Sequence, residues 1–259
     1  MEKIEKMELK HFNLIRELTW SDYKLRYSGT ALGFLWSFLK PLLMLIVLYV
    51  IFSYVIPLKI PNYPIFLLLG VIIWNYFVES TTMNMYNLSA KSKVIKNTYF
   101  PRQILVISSC LNASISFLIN ILLFFIFLLF SGVVFSLIGF IIFLIILILL
   151  FILSLGTSYI LSSFYPKFRD LSHIWEILMQ IGFFVTPIVY NMAVIPIKYK
   201  QLYMMNPLAQ ILEYSRNSML YNQIPSILQI LILSVICIVI YLVGYALFKY
   251  RSKYLAEEL

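Results

Sequence analysis

Glu79 is the acidic residue whose surroundings could support chemistry, because it lies within an apolar stretch of the chain. The segment WNYFVESTTMNMYNLS also carries a cluster of amide and hydroxyl side chains, namely Asn75, Ser80, Thr81, Thr82, Asn84 and Asn87. An ionisable group inside a membrane segment faces protein or water rather than lipid. Glu79 therefore has two interpretations of equal weight: a functional group on a polar path, or a hydrogen-bonding group between helices.

Other residue types that carry enzyme chemistry are scarce. The two histidines, His11 and His173, cannot form a histidine-based metal cluster. Cys110 and Cys237 lie in apolar runs, where a thiol packs as a small hydrophobic group. The sequence has no GxxxxGK[ST] phosphate-binding loop, so ATP and its Mg²⁺ would be bound by a partner chain. We predict no catalytic residue, no metal ligand and no cofactor in this chain.

The elements that position these residues follow from the composition. Of the 259 residues, 62% are hydrophobic and 12% are charged, with a mean hydropathy of +0.91. Soluble domains carry about 25% charged residues. A helix needs about 20 apolar residues to cross a bilayer, and six such runs predict an all-α membrane protein. The predicted spans are 31–56, 65–88, 103–130, 138–163, 171–190 and 226–248.

The basic residues predict the orientation of these spans. Lys and Arg accumulate in cytoplasmic loops, and all but four of the 20 lysines and arginines fall on one side of the predicted spans. The four on the other side are Lys59, Lys198, Lys200 and Arg216. We therefore expect a multi-pass membrane protein with both termini cytoplasmic. The formal charge of +9 then reflects topology, and no nucleic-acid partner is expected.

Two further elements flank the spans. Residues 1–25 predict an amphipathic helix lying in the membrane interface, followed by a six-span domain over 26–259. The apolar face of the predicted helix carries Ile4, Met7, His11, Leu14, Ile15, Leu18 and Leu25. The external region 191–225 contains Pro196, Pro207 and Pro225 and predicts short re-entrant helices beside a pore mouth.

Four motifs occur in order along the chain. RYSGTALGFLW (26–36) is followed by Lys40 and Pro41. KVIKNTYFPRQIL (93–105) begins in the basic loop 89–102. FYPKFRDL (164–171) precedes TPIVY (186–190), and MNPLAQILEYSR spans 205–216. Gly29 and Gly33 would let backbones approach closely where the interfacial helix meets the first span. Pro101 disfavours helix at the preceding residue and would end a short helix in the basic loop.

Together these motifs resemble the permease subunits of ABC exporters for O-antigen, teichoic acid and capsular polysaccharide. The resemblance rests on Gly29, Gly33, Trp36, Pro41, Pro187, Asn206 and Pro207. It implies a homodimer of this chain with two ABC ATPase subunits in the bacterial cytoplasmic (inner) membrane, and a lipid-linked glycan as substrate. It also implies that the loop 89–102 and a second loop contact the ATPase. The residues expected at that contact are Lys93, Lys96, Asn97, Phe100, Pro101, Arg102, Arg169 and Asp170.

The same resemblance leads to two substrate predictions. Arg26 and Lys40, at the start of the first span, are expected to attract a lipid pyrophosphate through charge-assisted hydrogen bonds. Aromatic side chains suit the C–H faces of sugars, although most membrane aromatics face lipid or interface. The predicted channel-lining residues are Tyr49, Phe52, Glu79, Phe183, Phe184 and Tyr190.

Three alternatives stay open from the sequence. An ABC exporter permease for small drugs or lipids would share the architecture. A polytopic membrane transferase acting on lipid-linked sugars would need its own acid and base residues and no ATPase. A secondary transporter would show inverted repeats with paired broken helices, and the sequence contains no convincing internal repeat.

Overall fold

The computed structural model describes residues 2–91 and 100–252, and these residues form helices joined by short connections. Within them, the nine α-helices are α1 (Glu2–Tyr27), α2 (Trp36–Val50), α3 (Tyr63–Ala90), α4 (Gln103–Phe130), α5 (Leu137–Phe164), α6 (Leu171–Val185), α7 (Ile197–Met204), α8 (Pro207–Leu220) and α9 (Ile227–Arg251). A 3-10 turn at Gly33–Leu35 leads into α2, and a π-helical turn at Ile51–Val55 extends it.

In the described part of the chain, five helical segments are long and apolar enough to cross a membrane: Gly33–Val55, Tyr63–Leu88, Gln103–Phe130, Leu137–Phe164 and Ile227–Arg251. The sixth predicted span corresponds to α6, a shorter apolar helix of 15 residues. The predicted all-α fold with six spans is confirmed in this form. The predicted boundary at 190 was wrong, because Thr186 is extended and precedes Pro187, which disfavours helix at the residue before it.

Helix α3 is the central helix. Its candidate span is 78% buried inside the chain, whereas the other four are 17–44% buried. It packs against α2, α4, α5, α6 and α8. The most polar span is therefore also the one most shielded from the outside, as expected where lipid disfavours amide and hydroxyl groups.

Helices α5 and α9 approach each other closely at two glycines. A Cβ atom at Gly244 would overlap the Gly156 carbonyl oxygen, and one at Gly156 would lie 2.6 Å from Tyr241 Cα. Small residues allow such close backbone approach between membrane helices. This pair anchors α9, whose other faces are largely exposed.

Helix α1 lies against α4. The Thr19 hydroxyl donates to the Ser108 carbonyl oxygen at 3.4 Å, and Asn112 Nδ2 donates to the Thr19 carbonyl oxygen at 3.3 Å. His11, Leu14, Ile15 and Leu18 of the predicted apolar face are half-buried. Leu25 of the same predicted face is 70% exposed, and the side chains of Ile4 and Met7 lie outside those described, so the interfacial position of α1 stays a prediction. Polar hydrogen bonds as well as apolar contacts hold α1 to the bundle.

Short helices occupy the region 191–225, where α7 and α8 connect α6 to α9. Asn206 caps α8, since its Oδ1 accepts from the Leu208 N–H at 3.0 Å, and Pro207 takes the first helical position. Most of α8 is buried, and it packs against α3 and α5. It is therefore part of the helical core and not a surface loop.

Candidate functional site: a polar cavity between the first three long helices

The ends of several helices meet at one end of the bundle. Asp22 of α1 forms an ion pair with Lys91, directly after α3. Tyr86 of α3 packs edge-on against Tyr165, directly after α5, with ring centroids 5.7 Å apart. The Arg251 guanidinium of α9 lies 5.0 Å from the Phe164 ring. The end of α3 and the start of the third motif thus lie at the same end of the bundle.

The predicted ATPase-contact residues are described in part. Phe100, Pro101 and Arg102 are half-buried at the start of α4, while Arg169 and Asp170 are exposed before α6. Three others, Lys93, Lys96 and Asn97, lie outside the described residues. Their assignment to the ATPase contact stays a prediction.

A cavity of about 610 Å³ opens between α2, α3 and α4, next to the end of α1; we call it the polar cavity. Its lining residues include Arg26, Lys40 and Glu79, which the sequence assigned to two different roles. The Arg26 guanidinium forms an ion pair with the Glu79 carboxylate. The side chains of Arg26 and Glu79 are 29% and 25% exposed. The structure therefore brings the predicted phosphate-binding cations and the intramembrane acid together.

Polar groups line the wall around these charges. They comprise Thr30, Ser37, Asn75, Tyr76, Thr82, Ser116 and Asn120. Cavities of roughly 300–1,000 Å³ are typical of small-ligand sites. Among the described lining residues, two cations face one acid, so the cavity has a formal excess of one positive charge. It is suited to an anionic group that carries hydrogen-bond acceptors.

The turn between α1 and α2 shapes this cavity through its glycines. Gly29 has φ +78° and Gly33 has φ +50°, a left-handed backbone that glycine adopts without strain. A Cβ atom at either position would meet nothing within 4 Å. The predicted reason, close backbone approach, was therefore wrong, and the turn requires these glycines for their backbone angles. The turn places Arg26 and Lys40 on the same cavity.

Pro41 explains a second polar contact in the cavity wall. Proline has no N–H, so within α2 it cannot donate to the carbonyl oxygen of Ser37, four residues earlier. Asn120 Nδ2 of α4 donates to that carbonyl oxygen at 3.0 Å. In a membrane helix, a carbonyl freed by proline needs such a replacement donor. Pro41 and Asn120 thus join α2 to α4 beside Lys40.

The predicted channel-lining residues have contacts in different parts of the described chain, and of them Phe184 and Tyr190 line one small pocket. Tyr49 stacks on Tyr63 with centroids 6.3 Å apart, and Phe183 packs edge-on against Trp74 at 6.0 Å. Phe52 is half-buried, and Phe184 is 69% exposed. The Tyr190 hydroxyl donates to the carbonyl oxygens of Phe184 at 3.0 Å and Val185 at 2.9 Å, while Glu79 faces the polar cavity. A channel role for this set stays a prediction.

Sequence reasoning missed Arg216, which it counted among the basic residues outside the membrane. Its side chain is fully buried, with a relative exposure of 1%. The guanidinium donates to the carbonyl oxygens of Phe66 (3.1 and 3.2 Å), Ile188 (2.6 Å) and Pro187. It also lies 3.4 Å from the centre of the Phe66 ring. Arg216 therefore joins α8, α3 and the non-helical segment after α6.

Two further observations define the Arg216 site. A Cβ atom at Gly70 would overlap Arg216 Nη2, so a larger residue here would displace the guanidinium from its present position. Burial lowers the pKa of Arg216 to about 9, and the side chain stays charged at neutral pH. The sequence held a signal for this burial, because Leu208, Leu212 and Arg216 lie on one helical face.

Comparison with known proteins agrees with this architecture. Residues 13–220 match the family described as ABC-2 type transporter. The chain is similar to the O-antigen export system permease protein RfbA of Klebsiella pneumoniae, at 33% identity over 96% of this chain and 95% of the relative. The Myxococcus xanthus protein with the same description is 26% identical, with 95% of each chain covered.

A more distant relative has a related description. The polysialic acid transport protein KpsM of Escherichia coli is 23% identical over 90% of this chain and 91% of the relative. The family match covers well over half of the chain, and the relatives align over nearly its whole length. This multi-pass membrane protein belongs to the ABC-2 type transporter family.

Proposed function

We propose that this chain is the permease subunit of an ABC exporter that moves a lipid-linked polysaccharide or teichoic-acid-like polymer across the cytoplasmic membrane. The observation that carries the proposal is the polar cavity, where Arg26 and Lys40 converge between membrane-crossing helices. Relatives aligned over almost the full chain are described as O-antigen export and polysialic acid transport proteins. A cationic cavity in such a protein suits the phosphate of a lipid carrier.

The transport energy comes from a partner ATPase that binds ATP and Mg²⁺. The sequence has no phosphate-binding loop of its own. Two copies of the permease and two ATPase chains form the exporter. The ATPase binds the bundle end where Lys91, Arg169 and Arg251 lie, and both termini are on that cytoplasmic side. The burial of Arg216 supports this orientation, because it leaves Lys59, Lys198 and Lys200 as the basic residues of the opposite loops.

The relatives are described as O-antigen export and polysialic acid transport proteins, which favours a polymer exporter over a permease for small drugs or lipids. The same descriptions disfavour a membrane transferase and a secondary transporter. A transferase is also disfavoured by the cavity itself. Glu79, the acid among its described lining residues, is held by Arg26. A carboxylate held in an ion pair is stabilised in its charged form, which opposes the proton uptake that a general base needs.

The test is co-purification followed by an export assay. The chain is expressed with the ABC ATPase and glycosyltransferases of the same organism, and we expect a complex containing both subunits and polymer at the cell surface. An ATPase variant that binds but does not hydrolyse ATP should retain the complex and abolish surface polymer. Export that persists with this variant, or a permease that purifies without any ATPase, would refute the proposal.

A further inference from the structure

The ion pair between Arg26 and Glu79 lies across one side of the polar cavity. Arg26 belongs to the last turn of α1, and Glu79 lies near the middle of α3. The pair therefore fastens the end of the interfacial helix to the central helix. Because both side chains are about a quarter exposed, a ligand in the cavity can reach the guanidinium.

A phosphate group in the cavity would compete with the Glu79 carboxylate for the Arg26 guanidinium. A guanidinium binds phosphate and carboxylate through the same fork of N–H donors, and a diphosphate carries more negative charge than one carboxylate. Lys40 lines the same cavity and adds a second cation for a diphosphate. Glu79 is the one acid among the described lining residues, so the carboxylate and an incoming phosphate compete for the same donors.

We propose that Glu79 is an internal competitor for the anion site, and that the diphosphate headgroup of an amphiphilic substrate binds by displacing the Glu79 carboxylate from Arg26. The inference rests on the proposed function for the identity of the substrate. In the cavity, the diphosphate replaces the Glu79 carboxylate as the anion bound to Arg26. The empty transporter keeps Arg26 neutralised, and the site becomes available only to an anion that outcompetes a carboxylate.

The exchange has a consequence for the loop that follows α3. Asp22 lies one turn before Arg26 on α1 and forms an ion pair with Lys91, at the start of loop 89–102. The last two turns of α1 thus hold two ion pairs, one at the cavity and one at the predicted ATPase contact. Release of Arg26 from Glu79 loosens α1 from α3 beside that contact. Binding of the headgroup thereby changes how α1 is held beside the predicted ATPase contact.

The experiment measures binding by the fluorescence of Trp36, which lines the polar cavity. The full chain, purified with its ATPase in lipid nanodiscs, is titrated with a short-chain polyprenyl diphosphate, with inorganic pyrophosphate and with the uncharged polyprenol. Trp36→Phe identifies the part of the signal that arises at the cavity. Glu79→Gln removes the charge at constant shape, and Glu176→Gln makes the same change on an exposed residue of α6.

We expect Glu79→Gln to bind the polyprenyl diphosphate about fivefold more tightly, the size of a partly exposed ion pair. Glu176→Gln should match the unmodified chain, and Arg26→Gln should bind more weakly. Stimulation of ATP hydrolysis by the lipid should also shift to lower lipid concentration in Glu79→Gln. If that variant is too unstable to purify, Glu79→Asp shortens the carboxylate, weakens its grip on Arg26 and should shift binding in the same direction.

The outcomes separate this inference from the proposed function. Equal or weaker binding by folded Glu79→Gln and Glu79→Asp, with the diphosphate still bound by the unmodified chain, would overturn the exchange and leave the exporter proposal intact. No binding of the polyprenyl diphosphate by any form would overturn both the exchange and the substrate of the proposed function. Equal affinity for inorganic pyrophosphate, with the same gain in Glu79→Gln, would support the exchange and assign the site to the headgroup alone.

Discussion

Two arginines bind the central helix α3 in opposite ways. Arg216 contacts Phe66 and Arg26 contacts Glu79, and these α3 positions lie about 20 Å apart along the helix at 1.5 Å per residue. Arg216 is sealed from solvent and donates to uncharged carbonyl oxygens of three residues. Arg26 is partly exposed beside a cavity and pairs with a carboxylate. Both residues are arginines, so their different partners and exposure distinguish Arg216, which cross-links helices, from Arg26, which can bind a ligand.

The two sites differ in whether the acceptor groups can find another hydrogen-bond partner when the arginine leaves. Among the described residues, Arg216 is the donor to the carbonyl oxygens of Pro187 and Ile188, and leaving such buried polar groups unpaired is costly. Glu79 borders a polar cavity and can be solvated when Arg26 leaves it. Arg216 is thus suited to a permanent structural contact, and Arg26 to an ion pair that a ligand can break.

The largest expected effect is on Arg216. Arg216→Met leaves the buried carbonyl oxygens of Phe66, Pro187 and Ile188 without this donor, and we expect a loss of about 3–5 kcal/mol in the free energy of unfolding. Thermal unfolding and the yield of folded protein in detergent measure it. Arg26→Met is the matched control and should lower stability by less than about 1 kcal/mol. Similar losses in the two variants would contradict the distinction between the two sites.

Gly70→Ala should come next, because the added methyl group overlaps Arg216 Nη2 and lies 3.0 Å from the Ile188 carbonyl oxygen. Overpacking a buried site typically costs about 1–3 kcal/mol. The double variant with Arg216→Lys tests the cause, since a shorter, narrower cation leaves room for the methyl group. The cost of Gly70→Ala should be smaller when it is measured in the Arg216→Lys variant. An equal cost in both backgrounds would mean that the clash is with Ile188.

At the polar cavity the expected effect is on transport more than on stability. Arg26→Gln combined with Lys40→Gln removes both cations, and we expect export to fall by about tenfold, the value of one charge-assisted hydrogen bond. Surface polymer and substrate-stimulated ATP hydrolysis are the measurements. Lys59→Gln removes an exposed charge near the other end of the bundle and should leave both unchanged. Unchanged export in the double variant would remove the phosphate role from Arg26 and Lys40.

Much of the architecture could be predicted because lipid imposes a simple rule on the sequence. Long apolar runs predicted the spans. The first motif, with Lys40 after it, identified Arg26 and Lys40, two cations that line the cavity. Glu79 was also visible, since an acid within an apolar run is rare. Its pairing with Arg26 was hidden, because the residues are 53 positions apart and nothing local specifies which helix faces meet.

Arg216 shows the limit of the charge rule. Counting basic residues by segment treats every arginine between two spans as part of a loop, whereas α8 carries this one into the core. The glycines of the first motif show a second limit, because sequence does not distinguish a glycine needed for close approach from one needed for a left-handed backbone. Gly70 and Gly244 are of the first kind, and Gly29 and Gly33 are of the second.

The smallest expected effect concerns Asn120, which joins the cavity wall to the proline turn of α2. Asn120→Ala leaves the Ser37 carbonyl oxygen without its donor, and we expect a loss of about 1 kcal/mol in stability. Pro41→Ala restores an N–H four residues after Ser37, so Asn120→Ala should cost less when it is combined with Pro41→Ala. Thermal unfolding of the four proteins in this cycle measures the coupling. Additive effects would show that Asn120 supports α2 by packing alone, and that the proline turn needs no donor from α4.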